Sequence, residues 1–136
     1  MDLPLVIVGG GPAGMMAGLL FARVGVRTLV LEKHGDFLRD FRGDTVHPST
    51  LELFDELGLL DRLLARPYDR VERLAGRIAG QKIALADFTH LPVRCGFIAM
   101  MPQWEFLDFL REEAERYPAF SLRMEGEATG LSFDEA

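Results

Sequence analysis

Apolar and polar positions along this chain follow two different periods, and the first blocks come in the order strand, helix, strand. Leu5-Val6-Ile7-Val8 is an unbroken apolar run rich in β-branched residues, the pattern of a buried parallel strand. From about Pro12 to Val24 the apolar positions recur at helical spacing. Ala13, Met16, Ala17, Leu20 and Val24 form the stripe expected to face the sheet, but the opposite side, Met15, Gly18, Leu19 and Ala22, is apolar too. A helix that is apolar all round needs cover on both sides. Gly25 stands where a C-cap belongs, and Arg27 to Glu32 reads as a second strand.

Lys33 to His47 shows no period and carries His34, Arg39, Arg42 and His47. A connection of this length inside a compact domain is usually functional or disordered, and its place beside the first turn favours a functional loop. Pro48 opens an amphipathic helix that Gly58 ends, and a shorter helix runs from about Leu60 to Arg66. Val71 to Leu74 and Lys82 to Phe88 read as two short strands joined near Gly80-Gln81. Cys95 to Met101 reads as a buried strand that Pro102 stops. The helix from about Gln103 to Tyr117 places Phe106, Leu107, Leu110, Ala114 and Tyr117 on one stripe and Glu112, Glu115 and Arg116 on the other. Phe120 to Glu125 alternates as a half-buried strand, and Ala128 to Phe133 is expected to begin another.

Between the first strand and helix lies Gly9-Gly10-Gly11-Pro12-Ala13-Gly14, with G-x-G-x-x-G spacing at Gly9, Gly11 and Gly14. In such a turn the first glycine allows the sharp bend and the second lets the backbone approach a pyrophosphate. The third lets helix and strand pack closely. The helix then directs its orphan N–H groups and positive dipole end at the phosphates. Glu32 ends the second strand eighteen residues after Gly14. A carboxylate there accepts hydrogen bonds from both ribose hydroxyls of an adenosine and repels a 2′-phosphate. Strand, turn, helix and acid together read as a dinucleotide site.

The 136 residues suit about one domain, and 49% apolar with 26% charged residues indicates a globular chain. A net charge of −6 without any basic run argues against a nucleic-acid surface. The single cysteine, Cys95, excludes an internal disulfide, fits the cytoplasm and reads as a small buried hydrophobe. Leu3 to Ala22 carries no charge, but the three consecutive glycines Gly9 to Gly11 and Pro12 interrupt it, so it reads as strand plus helix rather than as a membrane anchor. His34, His47 and His90 have no metal-ligand spacing, and no catalytic acid, base or nucleophile emerges.

The order V-I-V-G-G-G-P-A-G, then L-V-L-E-K, then F-R-G-D-T-V-H-P-S-T-L-E-L-F-D-E-L-G-L-L-D, then M-P-Q-W-E-F-L-D-F-L, resembles the N-terminal part of the FAD-dependent aromatic hydroxylases, single-component flavoprotein monooxygenases of the para-hydroxybenzoate hydroxylase type. The resemblance implies an α/β fold: a Rossmann-like FAD/NAD(P)-binding βαβ domain with the start of an inserted substrate-side β element. Residues 1–66 and 102–136 would form the dinucleotide-binding core and residues 67–101 the substrate-side strands. It places the FAD pyrophosphate on Gly9, Gly10, Gly11, Pro12, Ala13 and Gly14, and the adenosine ribose on Glu32 with Lys33 beside it. Arg42 and Gln103 match family residues that reach the cofactor. Each has a plainer role open to it: Lys33 as a solvated charge, Arg42 as the partner of Asp40 or Asp44, Gln103 as an exposed first turn. NAD(P)H would be the reductant, oxygen the co-substrate, and an aromatic or polyketide-like molecule the substrate. Another flavoprotein oxidoreductase, a halogenase on the same scaffold, or a truncated non-catalytic dinucleotide-binding module are the alternatives. The family's later Asp-Gly and Gly-Asp motifs have no counterpart here, since Gly35-Asp36 and Gly43-Asp44 stand in another context. The resemblance therefore implies the first part of a longer enzyme whose C-terminal part is needed.

Overall fold

The computed structural model describes residues 4–38 and 44–133. The elements in chain order begin with β1 (Leu5–Val8), α1 (Pro12–Arg23), β2 (Thr28–Leu31), β3 (Thr45–Val46), α2 (Pro48–Glu56) and α3 (Leu60–Leu63). They continue with β4 (Asp69–Val71), β5 (Arg73–Ile78), β6 (Gln81–Asp87), a single 3-10 turn (Phe88–His90), β7 (Ile98–Met100), α4 (Gln103–Ala114) and β8 (Phe120–Arg123). The chain divides into two compact units, one of Met1–Arg39 with Leu107–Ala136 and the other of Asp40–Phe106.

The first unit holds a parallel sheet in the order β1-β2-β8, with Val8 opposite Leu31 and Leu31 opposite Arg123. Thr28, Val30 and Phe120 are buried beneath α1. A Cβ at residue 18 would lie 2.7 Å from Val30 Cγ2 and 2.8 Å from Phe120 Cε2, so the glycine sets how closely the helix lies on the sheet. The buried face of α1 is therefore Met15, Gly18, Leu19 and Ala22. This corrects the expected stripe of Ala13, Met16, Ala17, Leu20 and Val24, of which Ala13, Leu20 and Val24 are exposed. With both stripes apolar, the smallest residue decided which one could approach the strands. Phe37, under the Arg111 guanidinium at 5.8 Å, and Leu107, Phe109, Leu110 and Ala114 of α4 add to the buried set of this unit.

In the second unit, β7 lies between β3 and β4 in an antiparallel sheet. β5 and β6 form a separate hairpin whose turn residues, Ala79 and Gly80, have φ of 50° and 80°. The expected single strand Val71 to Leu74 is in fact the junction of two, because Val71 pairs with Ile98 whereas Leu74 pairs with Ala86. Asp87 closes the hairpin base, accepting from the Thr89 hydroxyl at 2.5 Å and from Arg73 Nε at 2.9 Å. These bonds hold its carboxyl well below the usual carboxylate range. Leu51, Phe54, Leu63, Phe97, Ala99 and Met101 are buried, and Phe54 meets Phe106 edge-on at 5.6 Å. Arg66 pairs with Glu105 at 2.8 Å, while Arg94 joins Asp55 on α2 to Asp61 on α3. Cys95 is buried, as its sequence context suggested, and burial pushes its thiol pKa up.

One expected strand is not formed. Ala128 to Phe133 is irregular and exposed, since among the described residues no neighbouring strand pairs with it. Among the described residues no helix is long and apolar enough to cross a membrane.

Candidate functional site

The end of β1 and the start of α1 are joined by three glycines with three different tasks. Gly9 has φ of +111° and donates its N–H to the Leu31 carbonyl at 2.8 Å, which continues the strand pairing into the turn. Few residues other than glycine adopt that backbone. A Cβ at residue 14 would lie 1.9 Å from the Gly9 carbonyl oxygen, so the first helical turn packs on the strand only with glycine there. Gly11, the N-cap of α1, has extended backbone and nothing within 4 Å of where its Cβ would point. A side chain at residue 11 would project into open space above the helix N-terminus.

That N-terminus suits an anion. Pro12 occupies the first turn, no side chain caps it and no acidic residue lies within it. The orphan N–H groups of the first turn and the positive end of the helix dipole are left to whatever binds over Gly11. Ala13 is exposed on the same turn.

Glu32 follows β2 and is only 8% exposed. Its Oε2 accepts from the Gly10 N–H at 2.9 Å. Its Oε1 accepts from the His34 N–H at 2.9 Å and lies 2.5 Å from His34 Nδ1. A Cβ at residue 10 would come within 2.8 Å of Glu32 Cβ, so Gly10 is the residue over which the glutamate folds. The end of β8 fixes this segment from the other side. Glu32 N–H donates to the Arg123 carbonyl and Gly126 N–H to the Glu32 carbonyl, both at 2.9 Å, while Glu125 N–H reaches the His34 carbonyl at 3.1 Å. Lys33 is exposed beside them.

The structure thus brings Gly9, Gly10, Gly11, Pro12, Ala13, Gly14, Glu32 and Lys33 together in the first unit. Gln103 opens α4 in the second unit, where its N–H donates to Asp44 Oδ1 at 3.3 Å and the Met101 N–H to the Asp44 carbonyl at 2.9 Å. Arg42 lies outside the described residues. Two features escaped sequence reasoning, the commitment of the Gly10 N–H to Glu32 and the return of the His34 ring onto the same carboxylate. The first depends on strand register, which puts residues 10 and 32 side by side. The second depends on a side-chain rotamer that has no sequence signal.

Residues 2–136 match the FAD binding domain family. The chain is 29% identical over 125 residues to 6-methylpretetramide 4-monooxygenase of Streptomyces rimosus, covering 92% of this chain and 30% of that protein. It is 31% identical over 131 residues to rifampicin monooxygenase of Streptomyces venezuelae, covering 96% of this chain and 26% of that one. Among solved structures, p-nitrophenol 4-monooxygenase PnpA from Pseudomonas putida DLL-E4 matches with a TM-score of 0.84 at 26% identity, covering 96% of this chain and 33% of PnpA. The chain therefore spans a third or less of the length of each of these relatives.

Proposed function

The chain belongs to the FAD binding domain family, and from that premise we propose that it is the FAD-binding part of an NAD(P)H-dependent flavin monooxygenase. The substrate class we assign is an aromatic or polyketide-like small molecule, a reading supported by the names of the relatives. The observation that carries it is the glycine turn with its carboxylate. An open space over Gly11, an uncapped helix N-terminus and a buried Glu32 fit the pyrophosphate and ribose of an adenine dinucleotide.

In this reading the first turn of α1, from Gly11 to Gly14, holds the pyrophosphate, Glu32 receives ribose hydroxyls, and Lys33 adds positive charge at the rim. Arg42 and Gln103 are assigned toward the flavin end. Residues 1–66 and 102–136 serve the dinucleotide and residues 67–101 the substrate side. Within that segment the stacked Tyr68 and Phe97 rings, 6.1 Å apart with the Arg70 guanidinium 4.1 Å from the Phe97 centroid, supply an aromatic surface. When bound, FAD would supply the redox chemistry that links NAD(P)H, oxygen and the substrate. The chain's own contribution is binding, orientation and exclusion of water. We place it in the cytoplasm, a reading supported by the single cysteine of these 136 residues, Cys95, which has no disulfide partner among them.

The test is a visible-spectrum titration of the protein with FAD, with NAD as control, followed by NAD(P)H oxidation on addition of phenolic substrates. Perturbed flavin absorbance and no response to NAD are expected, whereas tight binding of NAD in place of FAD overturns the reading. Glu32→Ala is expected to weaken FAD binding by about 1–3 kcal/mol, the scale of hydrogen bonds to a charged acceptor.

A further inference from the structure

Glu32 does not wait for a ligand with its acceptors idle. Its Oε2 accepts from the Gly10 N–H at 2.9 Å, and its Oε1 accepts from the His34 N–H at 2.9 Å with His34 Nδ1 a further 2.5 Å contact. The two backbone donors are fixed by the fold, because Gly10 lies in the glycine turn and the β8 end clamps residues 32–34. The imidazole is different. It is about half exposed, with 48% of its side chain open to solvent, and its rotamer alone decides whether it stays on the carboxylate. A ribose diol and a histidine ring compete for the same kind of acceptor at Oε1.

We propose that His34 is a specificity-determining gate of the ribose subsite, its ring held on Glu32 in the free protein and displaced when the adenosine ribose binds. This rests on the assignment of Glu32 to the ribose made above. The ring filters ligands. Only a group offering hydrogen-bond donors in place of the imidazole restores what Glu32 loses, which a vicinal diol does and a 2′-phosphate does not.

The experiment is FAD titration of the flavin-stripped protein, followed by flavin fluorescence, for wild type, His34→Ala, His34→Gln and Glu32→Ala. His34→Ala is expected to bind about three- to tenfold more tightly, the net scale of one intramolecular hydrogen bond. His34→Gln, whose amide can still donate to the carboxylate, is expected to bind FAD about as wild type does. Equal or weaker binding by His34→Ala, with Glu32→Ala still impaired, overturns the gate and leaves the ribose assignment standing. Unchanged binding by Glu32→Ala overturns the ribose assignment itself. Circular dichroism of each variant separates these outcomes from loss of fold.

Discussion

Gly11 and Gly14 stand three residues apart in one turn and answer to opposite constraints. At residue 14 the space is filled by the chain itself, since a Cβ would sit 1.9 Å from the Gly9 carbonyl oxygen. At residue 11 the space is empty of protein within 4 Å. Gly14→Ala is therefore expected to cost about 2–4 kcal/mol of stability, because backbone rather than a flexible side chain must give way. Gly11→Val is expected to leave the urea midpoint nearly unchanged and to abolish FAD binding by occupying the phosphate space. Urea denaturation and flavin titration of the two variants separate the effects, and a destabilised Gly11→Val that still binds FAD would contradict the assignment. The glycine spacing made these positions legible in the sequence. The partner of the Gly10 N–H was not, because residues 10 and 32 become neighbours only through strand register, and the residue pattern leaves Glu32's rotamer open.

Whole elements were legible where one periodicity ruled and ambiguous where two were satisfied at once. α2 and α4 each have one apolar stripe, and Leu51, Phe54, Phe106, Leu107 and Leu110 are buried as their spacing requires. α1 has two, and only Gly18, against Val30 and Phe120, shows which one meets the sheet. The division between β4 and β5 was hidden for a different reason: strand identity depends on the partner, and β7 and β6 come from distant parts of the chain. The β5–β6 hairpin also carries a local cost. Its two turn residues both have positive φ, the geometry of a type I′ turn, and one of them is Ala79 at 50°. Asparagine tolerates that region better than alanine. Ala79→Asn is expected to stabilise the hairpin by about 0.5–1 kcal/mol, within the range of turn-compatible substitutions. Slower amide hydrogen exchange across residues 73–87 would register the gain, and unchanged exchange would show that the turn is not limiting.

At the scale of the molecule, apolar surface and sheet edge coincide. Among the described residues β1 pairs only with β2, so its other side is an open edge. On that strand Ile7 faces α1, while Val6 and Val8 point to the opposite face with 47% and 67% of their surface exposed. Val24, at the end of α1, is 75% exposed. An apolar strand with a free edge offers both hydrogen-bonding groups and contact area to another chain, and proteins usually protect such edges with charge. The net charge of −6 opposes association in general but places no charge on β1 itself. This chain is accordingly expected to self-associate at micromolar concentration, and the two apolar features make separable contributions. Val8→Lys puts a charge on the edge strand, whereas Val24→Lys removes a comparable apolar area without touching any strand. Light scattering across a concentration series is expected to show a larger loss of associated species for Val8→Lys than for Val24→Lys. Equal losses would mean that exposed area, rather than strand pairing, drives the association.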